Sequence, residues 1–241
     1  MFQQSVNTSF PNVKKATPGA RLAYVNNQIS DIGNTPSLTA YPRWGKRLVD
    51  IVLVVLILPL ALPLMAVMLV LIALEGGKPI FRHPRVGKDA RIFGCFKFRT
   101  MAIDAEARLK KILREDPAAA EEWAMNFKLR DDPRVTRIGR IARKTSLDEL
   151  PQLWNVLRGD MSLVGPRPVT EAEMPLYGRS AEDYYMVRPG LTGIWQVSGR
   201  NSLSFVERVK LDRAYVAHLS LFADLRIMLL TVPAVLHVTG F

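Results

Sequence analysis

The chain has 241 residues, 49% of them apolar, which is ample for the core of one or two domains. Lys and Arg number 33 against 22 Asp and Glu, a net charge of +11 with a pI near 10.0, so anionic partners are expected: nucleic acid, acidic headgroups or phosphorylated small molecules. A single cysteine, Cys95, excludes an internal disulfide framework and a cysteine-based zinc cluster, and the sequence holds no Walker A loop, no G-x-G-x-x-G and no internal repeat.

Residues 1–41 are rich in Asn, Ser, Thr, Pro and Gln and lack periodicity, so they read as a disordered or loosely attached leader. With no apolar h-region, the leader is not read as a signal peptide. Residues 42–75 follow as a membrane segment. Ile51 to Leu74 carries no charge, and at about −0.3 to −0.6 kcal/mol per central aliphatic residue its insertion is favoured by several kcal/mol. As a straight helix the run would extend about 36 Å, enough to cross a hydrocarbon core of about 30 Å. Pro59 and Pro63 near its middle each remove a backbone hydrogen bond, and basic residues flank both ends: Arg43, Lys46 and Arg47 before it, Lys78, Arg82, Arg85 and Lys88 after it. Both flanks therefore qualify as cytoplasmic. A helix-break-helix hairpin that enters and leaves through one leaflet satisfies this, and a proline-kinked crossing is the alternative.

Residues 76–241 form the remaining domain. Gly87-Lys88-Asp89 between aromatic-rich runs predicts a short β-hairpin, with Lys97 and Arg99 alternating with Phe96 and Phe98. Cys95, among Phe93, Phe96 and Phe98, reads as a small buried hydrophobe. His83, His218 and His237 match no His-x-x-x-His ligand spacing. Asp104 to Leu129 predicts two short helices interrupted at Pro117, and Asp131-Asp132-Pro133 a turn.

Next comes the most informative stretch, SLDELPQLWNVLRGDMSLVGPRP, Ser146 to Pro168. Ser146 and Glu149 form a capping-box pattern, so a helix is expected to open over Asp148 to Trp154, with Pro151 tolerated in its first turn. Asp148 and Glu149 would then sit at the positive end of a helix dipole that favours their ionised form, as a candidate nucleophile and metal ligand. Ordinary helices begin the same way, but here Arg143 and Lys144 precede the acids, and Gly165-Pro166-Arg167-Pro168 aims an arginine between two prolines. Further on, RPGLTGIWQVSGRN, Arg188 to Asn201, joins glycines to Arg188 and Arg200, either as a phosphate-approaching loop or as a structural turn. Finally, Leu219 to Val238 reads as a helix on the membrane surface or packed on the domain.

Three of these stretches, FKFRTM (Phe96 to Met101), RKTSLDELPQLWNVLRGDMSLVGPRP (Arg143 to Pro168) and RPGLTGIWQVSGRN, resemble in order the bacterial sugar transferases, the monotopic phosphoglycosyl transferases. The resemblance runs from about Trp44 to Leu236. It implies transfer of a hexose 1-phosphate from a UDP-sugar to undecaprenyl phosphate at the cytoplasmic face of the bacterial inner membrane, releasing UMP and starting exopolysaccharide or capsule assembly. The insertion around Pro117 is similar to members that use galactose or glucose. By the same resemblance, Asp148 would be the nucleophile of a covalent phosphosugar intermediate and Glu149 the Mg²⁺ ligand. Lys97, Arg99, Arg143, Arg167, Pro168, Arg188 and Arg200 would bind substrate.

The implied fold is α+β and predominantly helical: a re-entrant membrane helix broken near Pro63, and a cytoplasmic catalytic domain with a small β-hairpin and interfacial helices, the small catalytic-core form. Where the family often has Ser-Pro at the break, this chain has Leu62-Pro63, with Pro59 in addition. Implied partners are UDP-sugar, undecaprenyl phosphate and inner-membrane lipid; a homodimer is compatible with the family, and nucleic acid is not expected. The rival expectation is a membrane-anchored polyanion-binding or scaffold protein in which Asp148 and Glu149 only cap a helix.

Overall fold

A computed structural model describes residues 26, 27, 30, 41–126, 129, 131–199 and 203–236. Of the expected leader only residues 26, 27, 30 and 41 are described, and Arg200 and His237 lie outside the described residues. The described chain is mainly helical, with two small sheets of two strands each.

A π-helical turn, Tyr41–Gly45, leads into α1, Lys46–Leu74, which is long and apolar enough to cross a membrane by length and composition. It continues through Pro59 and Pro63 without interruption. The expected break near Pro63 is therefore not a gap in the helix, although each proline lacks the amide that would bond the carbonyl four residues back, at Val55 and Pro59. Asp50, Val54, Ala61, Met68 and Ile72 are buried, at spacings of four and seven that trace one stripe along the helix. The other faces expose Leu56, Leu60, Val67, Val70 and Leu74. A helix apolar all round but covered along one stripe is suited to lipid elsewhere.

After α1, β1 (Ile80–Val86) and β2 (Ile92–Phe98) form the expected antiparallel hairpin, with Ile80 opposite Phe98 and Val86 opposite Ile92. The reversal uses Asp89 and Ala90 at φ 55° and 57°, turn geometry that Asp tolerates better than most residues. Helices α2 (Ala105–Glu115) and α3 (Pro117–Asn126) meet at Asp116, whose carboxylate accepts from the amides of Ala118 and Ala119, so Pro117 begins a helix rather than merely ending one. Asp132 is the expected turn former: it accepts from the Arg134 amide and pairs with its guanidinium at 2.7 Å.

Helix α4 (Arg137–Thr145) and α5 (Gln152–Arg158) bracket a 3₁₀ turn, Leu147–Glu149. Beyond them β3 (Ser162–Val164) pairs in parallel with β4 (Gly190–Thr192). Between these strands run a 3₁₀ segment, Met174–Ser180, and α6 (Ala181–Tyr185). The chain closes with α7 (Ile194–Val197), α8 (Phe205–Ala217) and α9 (Leu221–Leu236). The main core joins Val54 and Ala61 of α1 to Leu153 and Val156 of α5, Trp195, Leu211 and Ile227. A second cluster gathers Met68 and Ile72 of α1 with Phe98 and Ala142, and a third gathers Val86, Val169, Met174, Tyr177 and Tyr184.

Both ends of α1 are thereby tied to the same domain. At its start, Lys46 pairs with the buried Asp224 of α9 at 2.6 Å, and Asp224 also accepts from the hydroxyls of Tyr41 and Tyr215. Asp50 accepts from the Ser162 hydroxyl and the Leu163 amide, while Arg47 donates to the carbonyls of Val156 and Leu157 at the end of α5. At the other end, Arg99 donates to the Ile72 carbonyl at 3.0 Å.

Candidate active site

The acidic pair does not open a helix as expected. Ser146 stands in the left-handed region (φ 59°) at the end of α4, makes no side-chain cap, and α5 begins only at Gln152. The capping box seen is elsewhere, at Ser204 and Glu207 of α8. Asp148 and Glu149 instead occupy the intervening 3₁₀ turn, flanked by Leu147 and Leu150. Those two leucines pack against the cluster of Met68, Ile72, Phe98 and Ala142, so the turn shares an apolar cluster with α1.

Lys97 on β2 reaches across to Glu149, Nζ to Oε1, at 2.7 Å. Burial pulls the Lys97 ammonium down, but the Glu149 carboxylate outweighs it and holds the pKa above the usual lysine range. Asp148 is pushed up to about 6, chiefly by burial and then by Glu149, with Lys97 and Arg143 opposing. The acids lie outside α5, so the dipole expected to favour ionisation does not act as predicted, and desolvation dominates. Arg143, whose Nε donates to the Thr100 hydroxyl at 2.9 Å, is itself pulled down by burial, with Asp148 and Asp132 acting against that.

The position of β2 over this turn depends on Asn155, which the sequence reading did not single out. Fully buried on α5, it accepts from the Phe96 amide at 2.9 Å and donates to the Gly94 carbonyl at 2.8 Å and to Asp160 at 3.1 Å. A polar residue in an otherwise apolar stretch of α5, Leu153 to Leu157, was its signal. Cys95, between those bonds, is buried as expected, its thiol pushed up to about 11 by burial.

The other expected site residues divide. Arg167 leaves its turn to lie over the Trp195 ring, 5.2 Å from the centroid, and its charge bears on Arg85, Cys95 and Glu173. Pro168 offers its carbonyl to Arg85 at 3.2 Å, and Arg85 also pairs with Glu173. Arg99 donates to carbonyls at the end of α1 and to Lys78, while Arg188 donates to the Gly159 carbonyl that ends α5 at 2.7 Å. Neither is hydrogen-bonded to the acidic pair. The glycines of RPGLTG serve close backbone packing: a Cβ on Gly190 or Gly193 would collide with the Gly165 backbone, and Gly165 and Gly190 donate amides to Thr192 and Pro166 at 2.9 and 2.8 Å. They fasten the Arg167 turn to β4.

A sequence comparison agrees with this arrangement of motifs. Residues 41–238 match the family described as bacterial sugar transferase. The chain belongs to the bacterial sugar transferase family. It is 50% identical over 198 residues to the UDP-galactose-lipid carrier transferase of Erwinia amylovora, covering 82% of this chain and 42% of that protein. It is 47% identical over 198 residues, again 82% and 42%, to the undecaprenyl-phosphate galactose phosphotransferase of Salmonella typhimurium. The chain thus spans less than half the length of these two relatives. It also matches the exopolysaccharide production protein ExoY of Sinorhizobium fredii at 44% identity over 224 residues, covering 92% of this chain and 97% of that family member.

Proposed function

We propose that the chain transfers a hexose 1-phosphate, of galactose or glucose, from the UDP-sugar to undecaprenyl phosphate and releases UMP, beginning a polysaccharide repeat unit. One observation carries this reading: a half-buried Asp148 beside Glu149, with Lys97 and Arg143 acting on it, in a turn whose flanking leucines share an apolar cluster with Met68 and Ile72 of α1. A soluble sugar nucleotide and a membrane-held phosphate would meet there. The relatives' names, a UDP-galactose-lipid carrier transferase and an undecaprenyl-phosphate galactose phosphotransferase, support the same substrates.

In the first step an Asp148 oxygen attacks the sugar-bearing phosphorus, the bond to the bridging oxygen breaks, and UMP departs with the electron pair. In the second, an oxygen of undecaprenyl phosphate attacks the same phosphorus, yielding the diphosphate-linked sugar and freeing the Asp148 carboxylate. Lys97 and Arg143 neutralise charge as anion approaches anion. Partial burial of Asp148 removes some of the water that would mask its oxygen and slows hydrolysis of the intermediate.

Glu149 suits Mg²⁺. That ion binds through one or two carboxylates, waters and substrate phosphates, and needs no cluster of three ligating side chains, of which the described residues hold none. Bound there, it would neutralise the diphosphate. Arg200 completes the expected phosphate-handling set and lies outside the described residues.

The reading places α1 as a re-entrant helix in the cytoplasmic leaflet of the inner membrane. In support, Lys46 at one end and Ile72 near the other are bound by residues of one domain, whereas a straight crossing of 29 residues, about 42 Å, would part them by a bilayer. The unbonded carbonyls of Val55 and Pro59 mark where the helix can bend. Cysteine labelling in whole cells, with Cys95 replaced, should find positions before Lys46 and after Leu74 on the same side.

The decisive experiment incubates the protein with radiolabelled UDP-hexose and Mg²⁺ before any lipid is added. Label should remain on the protein as UMP appears, and Asp148→Asn should abolish both. Full turnover by Asp148→Asn would end the assignment, and salt-sensitive polyanion binding without UMP release would favour a binding protein.

A further inference from the structure

Two residues near the end of β2 hold cations of the acidic turn. Lys97 pairs with Glu149 directly, and Thr100 accepts a hydrogen bond from Arg143, Nε to Oγ1, at 2.9 Å. Arg143 is itself tied to the turn by backbone bonds: its carbonyl accepts from the Ser146 amide, and the Ser146 carbonyl accepts from the Glu149 amide. The contacts therefore close a ring, from Lys97 through Glu149, Ser146 and Arg143 to Thr100 and back along the chain to Lys97. Every link in it is a covalent segment or a hydrogen bond.

The sequence builds this ring by bringing the chain after β2 against the start of α4. The Ala102 amide donates to the Arg134 carbonyl at 2.8 Å, Met101 bridges to Val135, and the Thr136 amide donates to the Thr100 carbonyl at 3.1 Å. Thr136 then caps α4, its hydroxyl accepting from the Gly139 amide at 2.9 Å. Gly139 is needed for the close approach, since a Cβ there would stand 2.0 Å from the Thr100 carbonyl oxygen. Arg143 lies one turn beyond Gly139 on the same face of α4, which brings its guanidinium to the buried Thr100 hydroxyl.

The chemistry of the acceptor matters. A guanidinium offers five N–H donors in a fixed fork, and a bond at Nε sets the plane of that fork while sparing both terminal nitrogens. Among the described residues no hydrogen bond uses Arg143 Nη1 or Nη2. Asp132, an acid whose charge acts on Arg143, gives both of its oxygens to Arg134 at 2.7 to 3.1 Å. Arg143 is thus oriented by a neutral hydroxyl that fixes direction without cancelling charge. A fork held this way is ready to meet a phosphate with two parallel bonds.

We propose that Thr100 is a positioning residue for sugar-phosphate transfer, fixing Arg143 Nε so that the free edge of the guanidinium serves the phosphate under attack. The proposal rests on the transferase reading above. Asp148 keeps the same phosphorus through both steps, so Thr100 acts on both half-reactions.

The test uses the full-length protein and three variants. Thr100→Val keeps the shape and removes the acceptor; labelling of the protein by UDP-hexose and transfer of that label to undecaprenyl phosphate should both slow roughly 10- to 100-fold, the range for a hydrogen bond to a charged group. Thr100→Ser retains the hydroxyl and should hold both rates within about threefold of wild type. Arg143→Lys puts a methylene where Nε stands and keeps a charge, so adding Thr100→Val to it should cost less than about threefold more. Wild-type rates for Thr100→Val, or its full loss repeated in the Arg143→Lys background, overturn the positioning role. So does a slow Thr100→Ser protein, which decides the matter even where the valine variant does not fold. In each of these outcomes labelling of the wild-type protein leaves the transferase reading standing, and a wild-type protein that never releases UMP removes both.

Discussion

Lys97 Nζ stands 2.7 Å from Glu149 Oε1, and this contact ties the β-hairpin to the turn that carries the acidic pair. It holds Glu149 in place, and it supplies a cation beside Asp148, where two carboxylates would otherwise repel. Lys97→Met should therefore slow UMP release by about 10²- to 10³-fold, the usual effect of removing one preorganised electrostatic partner. Single-turnover kinetics with UDP-sugar measures it, and a loss under about threefold would show that Lys97 only packs the hairpin.

Asn155 sets the height of β2 above that turn. Asn155→Ala leaves the Phe96 amide and the Gly94 carbonyl without their side-chain partner, at about 1–3 kcal/mol each if they stay buried. Denaturant unfolding in detergent should show that loss, with UMP release reduced in protein that remains folded. Wild-type stability would mean that water replaces the amide.

The pairing of Lys46 with Asp224 fastens α1 to α9. Asp224→Ala strands a lysine whose side chain is 11% exposed and removes an acceptor from Tyr41 and Tyr215, so a cost of about 3–5 kcal/mol is expected. Lys46→Met combined with Asp224→Leu should cost clearly less than the sum of the single changes. Strict additivity in the unfolding free energies would show that the charges do not interact.

Asp212 makes stability depend on pH. Burial raises its carboxyl to about 7 from an ordinary 3.8, with the Tyr177 hydroxyl and Arg167 opposing. The folded state therefore holds the proton more tightly than the unfolded chain, and this contribution is full below about pH 4 and lost as pH rises through about 7. Asp212→Asn cannot titrate, so the wild-type thermal midpoint should fall relative to the variant between about pH 4 and 7. Parallel midpoints across that range would mean that Asp212 does not change its protonation.

Some elements follow from neighbours in sequence. The unbroken apolar run of α1, the hairpin around Gly87-Lys88-Asp89 and the helix restart at Pro117 were all readable, because each rests on composition, turn chemistry or proline's missing amide within a few residues. The same holds for the order of motifs that places Asp148 among basic residues. The capping-box reading at Ser146 failed for a physical reason. Helix α4 already runs to Thr145, and Ser146 takes the left-handed conformation that ends it, so the acids fall in a 3₁₀ turn.

Local pattern thus marked most of the helices, the one segment that suits a membrane, and the acids and arginines that are candidates for a site. Three-dimensional packing settled the rest: that Lys97 meets Glu149, that Asp148 is held up by desolvation instead of being lowered by a dipole, that the RPGLTG glycines fit against Gly165, and that Arg143 meets Thr100. Burial and charge proximity are properties of which distant segments touch, and no window of neighbouring residues contains that information.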